Sequence, residues 1–166
     1  ESGAFPAQCA GENGGTGVAL VELYDTSGLT TGRSRFVNAS ARSQVGRGDD
    51  VMIAGFAIAG STPLRVLIRG VGPALAQFSV EGALADPQLK VFDGARLLRA
   101  ENDDWSRNAN SAEIAATTQG VGAFTLANNG RDAALLLQLA PGAYTVQLSG
   151  AGETTGVGLI EIYEVP

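Results

Sequence analysis

The sequence predicts an all-β fold: an antiparallel β-sandwich of jelly-roll or immunoglobulin-like size, with one or two very short helices. Short apolar runs bounded by Gly, Pro, Asn or Asp recur along all 166 residues, the pattern of many strands joined by turns. The 23 glycines are about twice the usual share. Charged residues make up 17% of the chain, against about 25% in ordinary globular domains.

Taken in order, "RFVNASA" (35–41), "DVMIAGFAIAG" (50–60) and "LRVLIRGVG" (64–72) read as strands. "QLKVFDGARLLRAE" (88–101), "DAALLLQLAPGAYTVQLSG" (132–150) and "GVGLIEIYEV" (156–165) follow. Asp93-Gly94 fits a two-residue type I′ hairpin, and Pro141-Gly142 fits a type II turn; both are expected to set antiparallel neighbours side by side. "GPALAQF" (72–78) has proline at the first helical position, and "NSAEIAATT" (110–118) has Asn110 and Glu113 at capping-box spacing. Both are expected as short helical excursions between strands.

Composition narrows the chemistry. The formal charge is −6 with no basic cluster, so the phosphate-neutralising surface that nucleic acid requires is missing. The chain has no histidine, which removes the commonest general base and most zinc ligand sets. Cys9 is the single cysteine, so no disulfide can form within the chain, and the thiol has no evident activating group. No apolar run approaches the roughly 18 residues of a membrane span, so membrane insertion is not expected. The first residues, "ESGAFPAQ", lack the basic-then-apolar order of a signal peptide; a secreted form is expected to have lost one already.

The most informative feature is a duplication. Sliding the sequence by 139 positions lays Gly3 to Asp25 on Gly142 to Glu164 without a gap, and ten of the 23 positions are identical. Val18, Leu20, Glu22 and Tyr24 alternate on one face and recur as Val157, Leu159, Glu161 and Tyr163. The other face carries Ala19, Val21 and Leu23 against Gly158, Ile160 and Ile162. The repeated unit is expected to be a hairpin, with residues 1–25 forming an N-terminal copy and 26–166 the sandwich domain. Pro6 and Cys9 stand where the second copy has Thr145 and Leu148; because proline cannot donate to a ladder, the first strand of the N-terminal copy is expected at a sheet edge.

Taken together, "TGVALVELYD", the long stretch from "RFVNASARSQVGRGDD" to "DPQLKVFDG", "ENDDW", "LAPGAYTVQLSG" and "TTGVGLIEIYEVP" resemble a glycine-rich β-repeat domain. That domain recurs in large secreted or surface proteins of environmental bacteria. Residues 86–165, with "DPQLKVFDG", "ENDD" and "GAYTVQLSG", are also weakly similar to the pre-peptidase C-terminal β-sandwich attached to secreted hydrolases. The resemblance implies an extracellular or cell-surface β-domain with no catalytic residues, and no cofactor. Some pre-peptidase sandwiches bind calcium, so the resemblance also favours calcium at "ENDDW".

Candidate sites follow. Glu101, Asn102, Asp103 and Asp104 form the densest oxygen-ligand cluster, and calcium takes several such oxygens from one loop; the competing reading is a solvated turn with Trp105 packed beneath it. Arg47-Gly48-Asp49 spells an integrin tripeptide and reads equally as a glycine turn before the next strand. "RGVGPAL" (69–75) lacks the lysine of a phosphate loop. Asn38-Ala39-Ser40 is a glycosylation sequon lying inside a predicted strand. An enzyme using Asp103 and Asp104 as paired carboxylates is a third reading; the two are adjacent, so in extended chain they face opposite ways, which argues against a shared catalytic site.

A second copy of a terminal strand pair suggests assembly, in which an extended segment of one molecule completes a sheet edge in another. The expected contact residues are Phe5, Cys9, Val18, Leu20, Val21, Leu23 and Tyr24 in the first copy, with Val157, Leu159, Ile160, Ile162 and Tyr163 in the second. The partners are then other copies of the chain or adjacent repeats. Such contacts join unlike surfaces and propagate into a filament or surface array. The alternative is an accessory module, for calcium or glycan, of a larger secreted protein.

Overall fold

The computed structural model describes residues 3–24 and 36–166. The chain divides into two units, Glu1–Val37 and Asn38–Pro166. The second holds the eight strands found among the described residues: β1 (Asn38–Val45), β2 (Met52–Ile58), β3 (Leu64–Val71), β4 (Pro87–Asp93), β5 (Leu98–Asn102), β6 (Ala133–Leu139), β7 (Gly142–Gly150) and β8 (Gly156–Glu164). They form two four-stranded antiparallel sheets, ordered β1-β8-β3-β6 and β2-β7-β4-β5. The expected sandwich is present.

Sequence patterning explains how the two sheets differ. β3, "LRVLIRGV", is half-buried at its first two residues and buried at the other six, as a near-continuous apolar run requires of a strand covered on both faces. One face packs across the sandwich, where Val66 and Ile68 join Leu89, Val91, Val146, Leu148, Ile160 and Ile162. The opposite face packs Leu67 and Val71 with Leu75, Trp105, Ile114 and Leu126. These last residues come from the short helical segments and loops, including α1 (Ser111–Gly120). β4 instead alternates, with Pro87, Leu89 and Val91 buried and Lys90 exposed, the signature of a strand with one solvated face.

Both helical excursions form, as a 3-10 segment at Pro73–Phe78 and as α1. Asn110 occupies the N-cap position of α1 without a side-chain cap bond; Glu113 instead pairs with Arg65 on β3. Two turn expectations are corrected. The β4–β5 connection runs through Gly94–Leu97, with Arg96 at φ 62° and Asp93 Oδ1 accepting from the Ala95 and Leu97 amides, both at 2.9 Å. An aspartate that binds the backbone two residues on stabilises this longer turn over the two-residue hairpin. Pro141-Gly142 joins β6 to β7, which lie in different sheets, so the connection crosses the sandwich instead of pairing neighbours.

The expected hairpin of residues 142–164 is corrected for the same reason. β7 sits between β2 and β4, whereas β8 sits between β1 and β3. The unit is an arch, one central strand in each sheet, joined by a 3-10 elbow at Ala151–Glu153. Central placement leaves little room beside it: a Cβ on Gly70, the partner of Ile160, would lie 2.7 Å from both Leu148 Cδ1 and Leu89 Cγ. Gly70→Ala is therefore expected to lower unfolding stability by about 1–3 kcal/mol through overpacking, measured by urea denaturation.

Candidate functional site: an unpaired second arch

The N-terminal copy keeps the elbow of the arch. Glu12–Gly14 is a 3-10 turn, and a shift of 139 positions lays it on Ala151–Glu153. The flanking residues match as well: Gly11 has φ −73°, ψ 140° against −94°, 133° at Gly150, and Gly15 has −59°, 145° against −65°, 149° at Thr154. Inside the turn, Asn13 (53°, 32°) matches Gly152 (59°, 31°). The closing bond recurs, from the Gly15 amide to the Glu12 carbonyl at 2.9 Å and from the Thr154 amide to the Ala151 carbonyl at 3.2 Å. Glycine is required at the start of both elbows, because a Cβ would sit 1.9 Å from Gly15 O at Gly11 and 2.0 Å from Thr154 O at Gly150. That close approach explains one of the identities in the duplication.

Beyond the elbow the copies part. Residues 4–11 and 15–24 belong to no strand ladder, and Phe5, Val18, Leu20, Val21, Leu23 and Tyr24 are all exposed, Val18 completely. Cys9 is also exposed and free. Their second-copy counterparts pack within the domain. Ile160 and Ile162 are buried between the sheets, while Val157, Leu159 and Tyr163 pack on the outer cluster. The expectation of contacts between molecules is therefore corrected for Ile160 and Ile162, which are buried in their own core, while Val157, Leu159 and Tyr163 are half-buried against the outer cluster of their own domain.

A buried charged network fixes β8 against β3. Arg69, completely buried, lies directly opposite Glu161, with Nε 3.1 Å from Oε2. That contact is ionic in character, since neither atom has an aligned hydrogen bond, and Nη2 is likewise unpartnered. Arg69 Nη1 donates to the Phe124 carbonyl at 2.8 Å, and the guanidinium carbon lies 4.3 Å from the Phe124 ring centroid. Tyr163 donates to Glu161 Oε1 at 2.7 Å. Burial lowers the Arg69 pKa against the opposing pull of Glu161. Burial, then the Glu161 hydrogen bond, push the Tyr163 phenol well above its ordinary value. The N-terminal copy repeats the polar pair, Tyr24 donating to Glu22 Oε1 at 3.0 Å, and that bond raises the Tyr24 pKa. Sequence reading missed Arg69, although an arginine inside the apolar run "VLIRGV" was the available signal.

The acidic loop is held by its own chain. Asn102 donates to the Asp104 carbonyl and to Asn108 Oδ1, and accepts from the Ala134 amide at 2.9 Å. Asp104 pairs with Arg107 at 3.1 Å, and Trp105 is buried with Nε1 donating to Ala127. Glu101 lies on β5 opposite Lys90. Asp103 and Asp104 line a polar depression of about 620 Å³ that also holds Asp86, Arg107 and Arg131, and Arg131 pairs with Asp86. Asp103 and Asp104 thus face one depression together, not opposite ways as extended chain would place them, while Glu101 lies in the β5 ladder and Asn102 is bonded to backbone; among the described residues no group of three or more Asp, Glu, Cys or His side chains is arranged as a metal site.

The remaining motifs are turns or strand. The Gly72 and Ala74 amides of "RGVGPAL" are bound by buried Asp132 Oδ1 at 2.9 and 3.2 Å, so a carboxylate of the chain holds the place a phosphate would take. Burial still raises the Asp132 pKa, opposed chiefly by those amides. Arg47-Gly48-Asp49 forms a turn closed by the Asp50 amide on the Arg47 carbonyl at 3.0 Å. Asn38 and Ser40 are part of β1.

No family model matches this chain, and no curated protein does. Among solved structures, the pre-peptidase C-terminal domain of collagenase from Bacillus anthracis aligns at a TM-score of 0.45 and 10% identity, covering 76% of this chain and 89% of that one. The glycine-rich β-repeat resemblance thus rests on the sequence motifs alone.

The Tyr163 shift gives a pH prediction. A phenol whose folded pKa is raised stabilises fully below the unfolded value near pH 10, and that contribution is lost as pH rises above it. Tyr163→Phe is expected to flatten the decline in unfolding stability above about pH 10, measured by urea denaturation across an alkaline series. An unchanged alkaline limb would contradict it.

Proposed function

We propose that this chain is a non-enzymatic, extracellular structural β-domain that self-associates head to tail, its N-terminal arch acting as the assembly segment. The observation that carries this reading is the pair of matching elbows: one arch is central to the sandwich, and the other has the same local geometry with its apolar side chains in water. Exposed apolar residues next to unpaired backbone invite strand addition. Burying Phe5, Val21 and Leu23, whose counterparts in the second copy face the space between the sheets, at about 2 kcal/mol each gives roughly 6 kcal/mol. Association costs roughly 4–15 kcal/mol, so these side chains offset the lower part of that range and the new ladder hydrogen bonds decide the affinity. Donor and acceptor are different surfaces, so the contact propagates as a fibre unless rotation closes a ring.

The calcium reading has less support, because Arg107 and Arg131 already pair with carboxylates of the acidic depression. The fold and the pre-peptidase likeness are compatible with a domain of a secreted protein. Among the described residues no helix is long and apolar enough to cross a membrane.

Electron microscopy of the chain beside a version lacking residues 1–25 tests the proposal. Filaments or regular arrays are expected from the first and single domains from the second. Single domains from both would contradict it.

A further inference from the structure

We propose that the receiving surface is the β1/β2 end of the sandwich of a second copy, entered by the N-terminal arch with residues 17–24 beside β1 and residues 4–10 beside β2; this rests on the self-association reading above. Among the described residues β1 pairs only with β8, and β2 only with β7, so each sheet has an open edge at this end. At the opposite end β5 and β6 are the outer strands, and β6 is mostly buried.

The β1 edge is incomplete in a specific way. Seven of its eight residues are exposed. Ala39, Ala41 and Ser43 lie opposite Ile162, Ile160 and Gly158, on the face that looks between the sheets, yet all three are exposed. They are small, and they leave the edge of the inter-sheet core uncovered. On β2 the inward residues are Met52, Ala54, Phe56 and Ile58, with Ala54 and Phe56 only partly buried.

An occupant must place one strand in each sheet at once. It must run antiparallel to both β1 and β2, hence parallel to β8 and β7, and its connection must cross the sandwich with the hand of the β7–β8 arch. A segment with the same elbow meets all these conditions, displaced by two strands in each sheet. Transferring the β8 and β7 registers by 139 positions puts Val21 beside Ala41, Leu23 beside Ala39, Phe5 beside Phe56 and Cys9 beside Met52. Larger donor side chains thus meet the small residues of β1, and Phe5 joins the Phe56–Tyr144 stack, whose centroids lie 5.4 Å apart. On the outward face Glu22 falls diagonally across from Arg42, within reach of long side chains, and Arg42 has no ion pair among the described residues. Pro6 then lies in the outermost strand of its sheet, the position where a sheet tolerates proline.

Cys9 supplies the test, because it is the single cysteine of the chain. Antiparallel partners have Cα atoms about 4.5–5.5 Å apart, inside the disulfide range. Met52→Cys is assembled, oxidised and run on a non-reducing gel. The expected result is a ladder of covalent multimers that collapses on reduction. Since Met52 is buried, a second pair in the other sheet, Val21→Cys with Ala41→Cys in a Cys9→Ser background, is run in parallel and should give the same ladder. Filaments with no cross-link from either pair would place the arch on another edge and overturn this inference while sparing self-association. A cross-linked monomer would show the arch folded onto its own sandwich and overturn it too. Dispersed, uncross-linked chains from the unsubstituted protein and both variants would remove the self-association reading and this one with it.

Discussion

The register of the sandwich depends on one buried contact, Arg69 on β3 against Glu161 on β8. A one-residue slip of β8 would turn Glu161 into the apolar space between the sheets and strand Arg69 without its counter-charge, so the pair permits a single register. Removing one partner of such a buried pair costs about 3–5 kcal/mol, because the other is left uncompensated. Tyr163 and the Phe124 carbonyl complete the network, tying β8 to the loop that covers the outer cluster. Once β8 is fixed beside β3, the elbow fixes β7 in the other sheet, and β1 and β2 are left as the open end.

The N-terminal copy retains the acid and the phenol of this network, as Glu22 and Tyr24, both exposed, and among the described residues no buried arginine lies opposite them. Its elbow needs no partner, because a backbone bond and a glycine close approach within the turn hold it. Its strands differ: a lone extended segment has nowhere to place its backbone donors and acceptors except water or another sheet. The copy is therefore a preformed turn flanked by two segments without strand partners. This is the property that a donor segment requires, since ordering the elbow in advance reduces the entropy lost on docking.

Much of the sandwich was legible in the sequence. The unbroken apolar run of β3 and the alternation in β4 each follow from how many faces of the strand are covered. The duplication was legible too, as identities at fixed spacing. Sheet assignment was not: two period-2 runs joined by a few small residues look alike whether the chain turns back in one sheet or crosses to the other, and only long-range pairing separates hairpin from arch. For that reason the repeated apolar residues suggest a contact surface where β7 and β8 are in fact inner strands of the two sheets. The acidic loop was legible only in part. Glu101, Asn102, Asp103 and Asp104 are adjacent in sequence, but Glu101 and Asn102 lie on β5, with Asn102 bonding backbone, while Asp103 and Asp104 line the polar depression and Asp104 pairs with Arg107, and no local pattern reveals that division.

Backbone hydrogen exchange tests the proposed self-association through residues 17–24, which have no strand partner in the single chain and would gain one on association. Amides of residues 17–24 are followed in dilute and in assembled protein, with residues 157–163 as the internal reference. Rapid exchange is expected in the dilute chain, with protection approaching that of β8 in assembled protein. Protection already present in the dilute chain, or none in the assembly, would contradict it.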